Sequence, residues 1–237
     1  MKRRYPDLDT NDIMVVPDNA FATEYKRAEK HFEKDAIGMC LTDDLLTEEY
    51  NKGITKDIFF AEIVRLVNVF LNKNYILVFF QHTPQDIQLI SELLAQVPDL
   101  KKRTQIIVAA YDTHSEYSVE QYLNYYRMCD AFVAMRFHAN IFSLTQHIPC
   151  IALAGHEQIE GLYNELKFSE QCIVMNELSF AEQLENKIEA VLRNRKYYQN
   201  MQTDIVNAVL KNHNEYMMKI KCFIKDSFLE GSHNEIL

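Results

Sequence analysis

Arg136 and His138 stand one residue apart in Ala134-Met-Arg-Phe-His-Ala-Asn-Ile-Phe142, and this pair offers the clearest chemistry in the chain. They fall where a short apolar run, 131–135, gives way to a helical pattern over 137–146. The first turn of a helix leaves backbone N–H groups unpaired, and the aligned peptide dipoles make that end partly positive. A permanent guanidinium and an imidazole placed there form an anion-recognition point. The competing reading pairs Arg136 with a nearby carboxylate and makes His138 a partly buried core residue.

The elements that would position this pair alternate in type. Apolar runs at 37–41, 75–80, 105–110, 131–135, 150–153 and 172–175 read as strands. Helical patterns separate them. Phe59, Ile63, Leu66, Val67 and Phe70 mark a helix over 58–71, with Asp57 as its cap. Thr83-Pro84 opens a second helix carrying Ile87, Ile90, Leu93 and Leu94, and Pro98 closes it. Ser118 and Gln121 form a capping box for 119–128, whose tyrosines 122, 125 and 126 read as core-facing. A short helix over 159–166 precedes the sixth strand. The pattern predicts an α/β fold, a Rossmann-like doubly wound parallel sheet with long C-terminal helices over 180–195 and 196–228. Such sheets bind ligands beyond the carboxyl ends of their strands, where strand order reverses. Those ends carry Thr42/Asp43, Gln81/His82, Tyr111/Asp112, Arg136/His138 and Gly155/His156. In the common strand order the first and fourth strands flank the reversal, with Arg136 and His138 at its rim. Asp43-Asp44 is like the acidic pair of receiver proteins, but the late lysine that completes that site is missing.

Three segments follow from this pattern: a lead-in over 1–36, a Rossmann-like donor-binding domain over 37–178, and C-terminal helices over 179–237 that pack on the domain or a partner. Within the lead-in, 12–16 is a lone strand that must pair at a distance or with another chain. Residues 22–36 read as a helix or linker. A formal charge of −9 argues against broad binding of a nucleic-acid backbone. The five cysteines are widely spaced and odd in number, which reads as reduced thiols in a cytoplasmic protein. No CxxC pair or His-x-x-x-His set suggests a metal, no apolar run approaches membrane-spanning length, and no secretory signal opens the chain. With five glycines and no GxGxxG, GxxxxGK[ST] or GxSxG, dinucleotide, phosphate-loop and hydrolase-elbow readings fail. His213 reads as a packing residue.

Ser118-Val-Glu120-Gln-Tyr-Leu, then Cys129-Asp-Ala-Phe-Val-Ala-Met-Arg-Phe-His-Ala-Asn-Ile-Phe-Ser, then Ile148-Pro-Cys-Ile-Ala-Leu153 resemble the polysaccharide pyruvyl transferase family. The likeness extends upstream to Val15-Val-Pro-Asp18-Asn-Ala-Phe21, Ile37-Gly38 and Gln81-His82 with Asp86. It implies one half of a GT-B-type architecture of two Rossmann-like halves. The implied activity moves a pyruvyl group from phosphoenolpyruvate to a sugar hydroxyl pair in cell-surface glycan synthesis, with no cofactor beyond that donor. Arg136 and His138 match the residues facing the donor and are the expected catalytic pair. Asp18, Gln81, His82, Gly155 and His156 are the expected substrate-binding residues.

The sequence departs from the family where a Tyr-x-x-Lys pair is usual. Gly155 and Gln158 stand there, with Glu160 where a basic residue is frequent, and the missing lysine lowers affinity for a donor phosphate. His147 replaces a usual glycine. The implied partners are a small anionic donor and a glycan acceptor, with assembly either as a homodimer or with an absent N-terminal half. The alternatives are a non-catalytic binding or assembly module and a nucleotide-sugar glycosyltransferase half-domain.

Overall fold

The computed structural model describes residues 17–23, 32–109 and 119–231, with side chains as far as Cys222. Six strands, β1 (Ala36–Cys40), β2 (Ile76–Phe80), β3 (Ile106–Ala109), β4 (Ala131–Ala134), β5 (Cys150–Ala154) and β6 (Cys172–Val174), form one sheet. All pair in parallel, in the order β3-β2-β1-β4-β5-β6. The order reverses between β1 and β4, which opens a crevice at their carboxyl ends. This is the Rossmann-like, doubly wound sheet that the alternation predicts.

Helices cover both faces, so the central strands read as unbroken apolar runs. Every residue of β1, β4 and β5 is buried. Between the strands run α1 (Glu48–Asn51), α2 (Lys56–Asn72), α3 (Pro84–Ala95), α4 (Leu100–Arg103), α5 (Val119–Arg127), α6 (Phe137–Thr145) and α7 (Glu157–Glu165). After β6 come α8 (Phe180–Arg193) and α9 (Arg195–Gly231). One apolar layer joins α2, α3 and α8 to Ile37, Met39, Leu77, Val133 and Leu153. The other joins α5, α6, α7 and α9 to Cys40, Phe80, Phe132 and Ala152. At Gly38 the Phe132 ring lies directly over β1. A Cβ there would come within 2.3 Å of the ring, so only glycine fits.

The 37-residue α9 is about 55 Å long at the usual helical rise. Met201, Ile205, Val206, Val209 and Leu210 pack it onto the second layer. Gln202 is fully buried and pairs with backbone as a strand would, donating to Ile148 O at 2.8 Å and accepting from Cys150 N at 2.7 Å. His213 Nε2 meets Asn19 Oδ1 at 3.1 Å, tying α9 to a 3-10 turn over Asn19–Ala22. His213 is therefore the packing residue expected.

Some local expectations move. The cap of α2 is Thr55, whose hydroxyl accepts Ile58 N–H at 3.3 Å; Asp57 sits inside the first turn, where the dipole favours a carboxylate. The 3-10 turn, α1 and α4 lack enough periodicity to show in the sequence. The strand at 12–16, residues 24–31 of the lead-in, Tyr111/Asp112 and the Ser118 cap lie outside the described residues.

Candidate active site

Arg136 is the N-cap of α6, and no side chain caps that helix. Asn140 fixes the turn from strand to helix: its Nδ2 donates to Arg136 O at 2.9 Å and Ala134 O at 3.3 Å. No side chain takes up the first-turn N–H groups of α6, which lack partners within the helix. His138 projects from that turn with its side chain 56% exposed, its Nε2 3.9 Å from Asp18 Oδ2. Asp18 caps the 3-10 turn through Ala20 N at 2.8 Å, so the family-like segment at 17–21 does reach the candidate histidine.

The guanidinium of Arg136 has a different setting from the one expected. It is bound by acidic partners inside the protein. Its Nε lies 3.1 Å from both oxygens of Asp86, and its Nη2 lies 2.6 Å from Asp86 Oδ1. Nη2 also meets Thr83 Oγ1 at 2.8 Å, Thr42 Oγ1 at 2.9 Å and Asp44 Oδ2 at 3.0 Å. Asp86 is 0% exposed and accepts the backbone N–H groups of His82 and Thr83 at 2.9 Å each. A buried carboxylate with those donors and a guanidinium against it is a fixed counter-ion. The reading that pairs Arg136 with a carboxylate therefore holds for Nε and Nη2. Nη1 finds no acceptor among the described residues and is not among the buried unpaired atoms.

His82 stands behind this cluster. Its Nε2 is hydrogen-bonded to Tyr126 OH at 2.7 Å, and its ring stacks on Phe142, which also flanks the His138 ring. Burial pushes the His82 imidazole down to about 4; Asp86 acts against this, while Arg136 and His138 add to it. His82 is neutral at pH 7 and serves the wall of the site. Gln81 directly follows β2 and is half-buried, with its carbonyl accepting Tyr122 OH at 2.6 Å.

Gly155 and His156 have local structural roles. Gly155 is buried, and a Cβ there would press on Met175, Leu46 and Met135. His156 caps α7, its Nδ1 accepting Gln158 N–H at 3.2 Å, beside a cavity of about 380 Å³ lined by Thr47, Glu49 and Tyr50. The structure brings Asp18, His138, Arg136 and His82 together; Gly155 packs beside Met135, the residue before Arg136, and Gln158 shares a cavity of about 630 Å³ with Asp18 and Phe137. His147, in place of the usual glycine, takes a left-handed φ of 55°, which explains why glycine suits the position. Here the Nδ1–Thr203 Oγ1 contact at 2.9 Å ties it to α9.

Thr42 stands among the strand-end residues and Asp86 in the family-like segment, but the sequence does not mark Thr83, Asp44 or Tyr126 as parts of the site, nor Thr42 and Asp86 as partners of Arg136. The available signal was Thr83-Pro84 with Asp86 at the third helical position, a cap pattern directly beyond a strand end. Burial pushes the Cys40 thiol far up and the Cys150 thiol up to about 11, so neither is a nucleophile at neutral pH. Among the described residues, no three His, Cys, Asp or Glu side chains converge as a metal-ligand set, and no helix is long and apolar enough to cross a membrane.

Among solved structures, a glycosyltransferase from Rickettsia africae is similar at 13% identity and TM-score 0.50, covering 83% of this chain and 48% of that one. The C-terminal domain of a group 1 glycosyl transferase from Francisella tularensis matches at 13% identity and TM-score 0.49, covering 76% and 86%. ADP-heptose LPS heptosyltransferase II of E. coli matches at 15% identity and TM-score 0.49, covering 69% and 48%. At these identities the likeness concerns the fold, one Rossmann-like half of a GT-B-type architecture. The chain spans about half the length of the Rickettsia and E. coli proteins. No curated protein sequence matches. The family model for polysaccharide pyruvyl transferase matches residues 4–157, which takes in every site residue from Asp18 to His156. With that match over more than half its length, the chain belongs to the polysaccharide pyruvyl transferase family.

Proposed function

We propose that this chain binds phosphoenolpyruvate in the crevice between β1 and β4 and supplies the donor side of pyruvyl transfer to a pair of glycan hydroxyls. The observation that supports this reading best is the uncapped first turn of α6 with exposed His138 beside it, at the strand reversal. The donor carries a phosphate and a carboxylate. Open N–H groups, the Nη1 edge of Arg136 and the His138 ring offer donors for both. Asp86 holds the guanidinium in one orientation, so the arginine itself needs little ordering on binding.

The chemistry is acid–base and substitution at one carbon. Protonation at the donor methylene makes the adjacent carbon electrophilic. A first sugar hydroxyl attacks that carbon, the C–O bond to phosphate breaks with its electron pair on phosphate, and a second hydroxyl closes the ketal. Two hydroxyl protons leave; one balances the new methyl group and the other the released phosphate. His138, exposed and near the leaving group in this arrangement, handles a proton in that sequence. Calorimetry with phosphoenolpyruvate tests the reading. Wild type binds, and His138→Ala binds about tenfold or more weakly while its melting temperature holds. Absence of binding to wild type, or equal binding by the variant, contradicts it.

A non-catalytic binding module is the second reading, favoured by the charge balance. Arg136 faces two carboxylates, Asp86 and Asp44, and Gln158 stands where the family's lysine is usual. That reading predicts donor binding without phosphate release in the presence of any glycan diol.

A further inference from the structure

The two carboxylates on Arg136 are not equivalent. Asp86 is 0% exposed and locked by two backbone N–H groups and the guanidinium. Asp44 is 35% exposed, sits on the loop after β1, and has no backbone donor among the described residues. Its other oxygen accepts the Thr42 hydroxyl at 2.5 Å.

Nη2 has two hydrogens, yet four side-chain oxygens crowd it. They are Asp86 Oδ1 at 2.6 Å, Thr83 Oγ1 at 2.8 Å, Thr42 Oγ1 at 2.9 Å and Asp44 Oδ2 at 3.0 Å. An oversubscribed donor releases its longest and wettest partner at least cost, because water at once solvates the exposed carboxylate. The released partner is Asp44.

Resting on the donor-binding reading above, we infer that Asp44 occupies the seat of a donor oxyanion on Arg136 and must swing out when the donor binds. Asp44 is then an internal competitor that sets donor affinity, and the loop after β1 moves with it. The seat takes a phosphate or a carboxylate oxygen, since both match the guanidinium edge that Asp44 now fills. Thr42 and Thr83 stay behind to orient the guanidinium. The Asp44 carboxyl is ionised at neutral pH: burial raises its pKa, but the Thr42 and Arg136 hydrogen bonds and the Arg136 and Lys56 charges outweigh that and lower it. It therefore competes as a full charge. Its neighbour Asp43 pairs with Lys56 at 3.2 Å and supplies a control with the same charge and no contact to Arg136.

The test is calorimetry of wild type, Asp44→Asn, Asp44→Ala and Asp43→Asn with three probes: phosphoenolpyruvate, inorganic phosphate and pyruvate. The alanine variant is included because asparagine keeps an acceptor for Nη2. Removing one like charge at contact distance near a surface tightens binding by about tenfold or more. Asp44→Ala and Asp44→Asn show that gain with phosphoenolpyruvate, and Asp43→Asn changes affinity less than about twofold by the same screening argument. A parallel gain with phosphate but not pyruvate assigns the seat to the phosphate; the reverse assigns it to the carboxylate. If wild type binds phosphoenolpyruvate and both Asp44 variants bind it equally or more weakly, the Asp44 inference is overturned and the donor reading stands. If no protein binds phosphoenolpyruvate but the Asp44 variants gain phosphate or pyruvate binding, the donor reading falls and the seat stands. Absence of binding to all three probes overturns both.

Discussion

The two ends of the β1/β4 strand pair each hold an arginine between two aspartates, and the surroundings of the two clusters differ. At the amino end, Arg195 Nη1 meets Asp130 Oδ1 at 2.6 Å and Nη2 meets Asp35 Oδ1 at 2.8 Å. Asp130 Oδ2 also accepts Ala36 N–H at 2.9 Å, so this cluster staples the start of α9 to the first residue of β1. At the carboxyl end, Arg136 binds a fully buried Asp86 and a half-exposed Asp44. The exposures are parallel: Asp130 is 7% and Asp35 is 41% exposed, against 0% and 35%. What differs is the surrounding backbone. The carboxyl end adds an uncapped helix start, an exposed imidazole and the crevice of a strand reversal. The ion pairs alone do not distinguish the two ends; the uncapped start of α6 and the topology do.

Removing the fixed counter-ion gives the largest effect. Asp86→Ala leaves Arg136 half-buried without its main partner and strips an acceptor from two backbone N–H groups, so urea denaturation should show a loss of about 3–5 kcal/mol. A loss below about 1 kcal/mol would mean that water reaches the carboxylate and the cluster is not preorganised. Next comes pH. His82 is held near 4, against an ordinary value of about 6.5, so the unfolded chain binds more protons between those values. Its contribution is complete above about pH 6.5 and is lost as pH falls toward 4, on the order of 3 kcal/mol in all. His82→Gln should flatten that part of the stability–pH curve, and an unchanged curve would place the titration elsewhere. The smallest effect belongs to the other end. Arg195→Met should cost about 1–2 kcal/mol, discounted for its partial exposure, and leave phosphoenolpyruvate affinity unchanged. A change in affinity would join the two clusters functionally and dissolve the contrast.

Much of this is legible in the sequence. Continuous apolar runs separated by amphipathic helices specify a parallel sheet covered on both faces, and the strand order followed from the commonest arrangement of such sheets. The Arg136-Phe-His138 turn was legible because a strand end followed at once by a helix start leaves few places for polar residues to go. The partners of Arg136 were not. Thr42, Thr83, Asp44 and Asp86 come from two other strand ends, 50 or more residues away in sequence, and no local periodicity encodes contacts across a sheet. Gly155 and His156 sat at a strand end by the same rule as His138. Packing against Met175, Leu46 and Met135 and the cap of α7 set their local geometry, which the strand-end rule does not encode.

Backbone amide NMR during titration with phosphoenolpyruvate tests the central assignment most directly. The account predicts saturable shifts at Phe137, His138 and Ala139 in the open turn of α6 and at Asp44, with Ala36, Asp130 and Arg195 unmoved. Shifts centred on the Asp130–Arg195 staple, or none at the α6 turn, would contradict it.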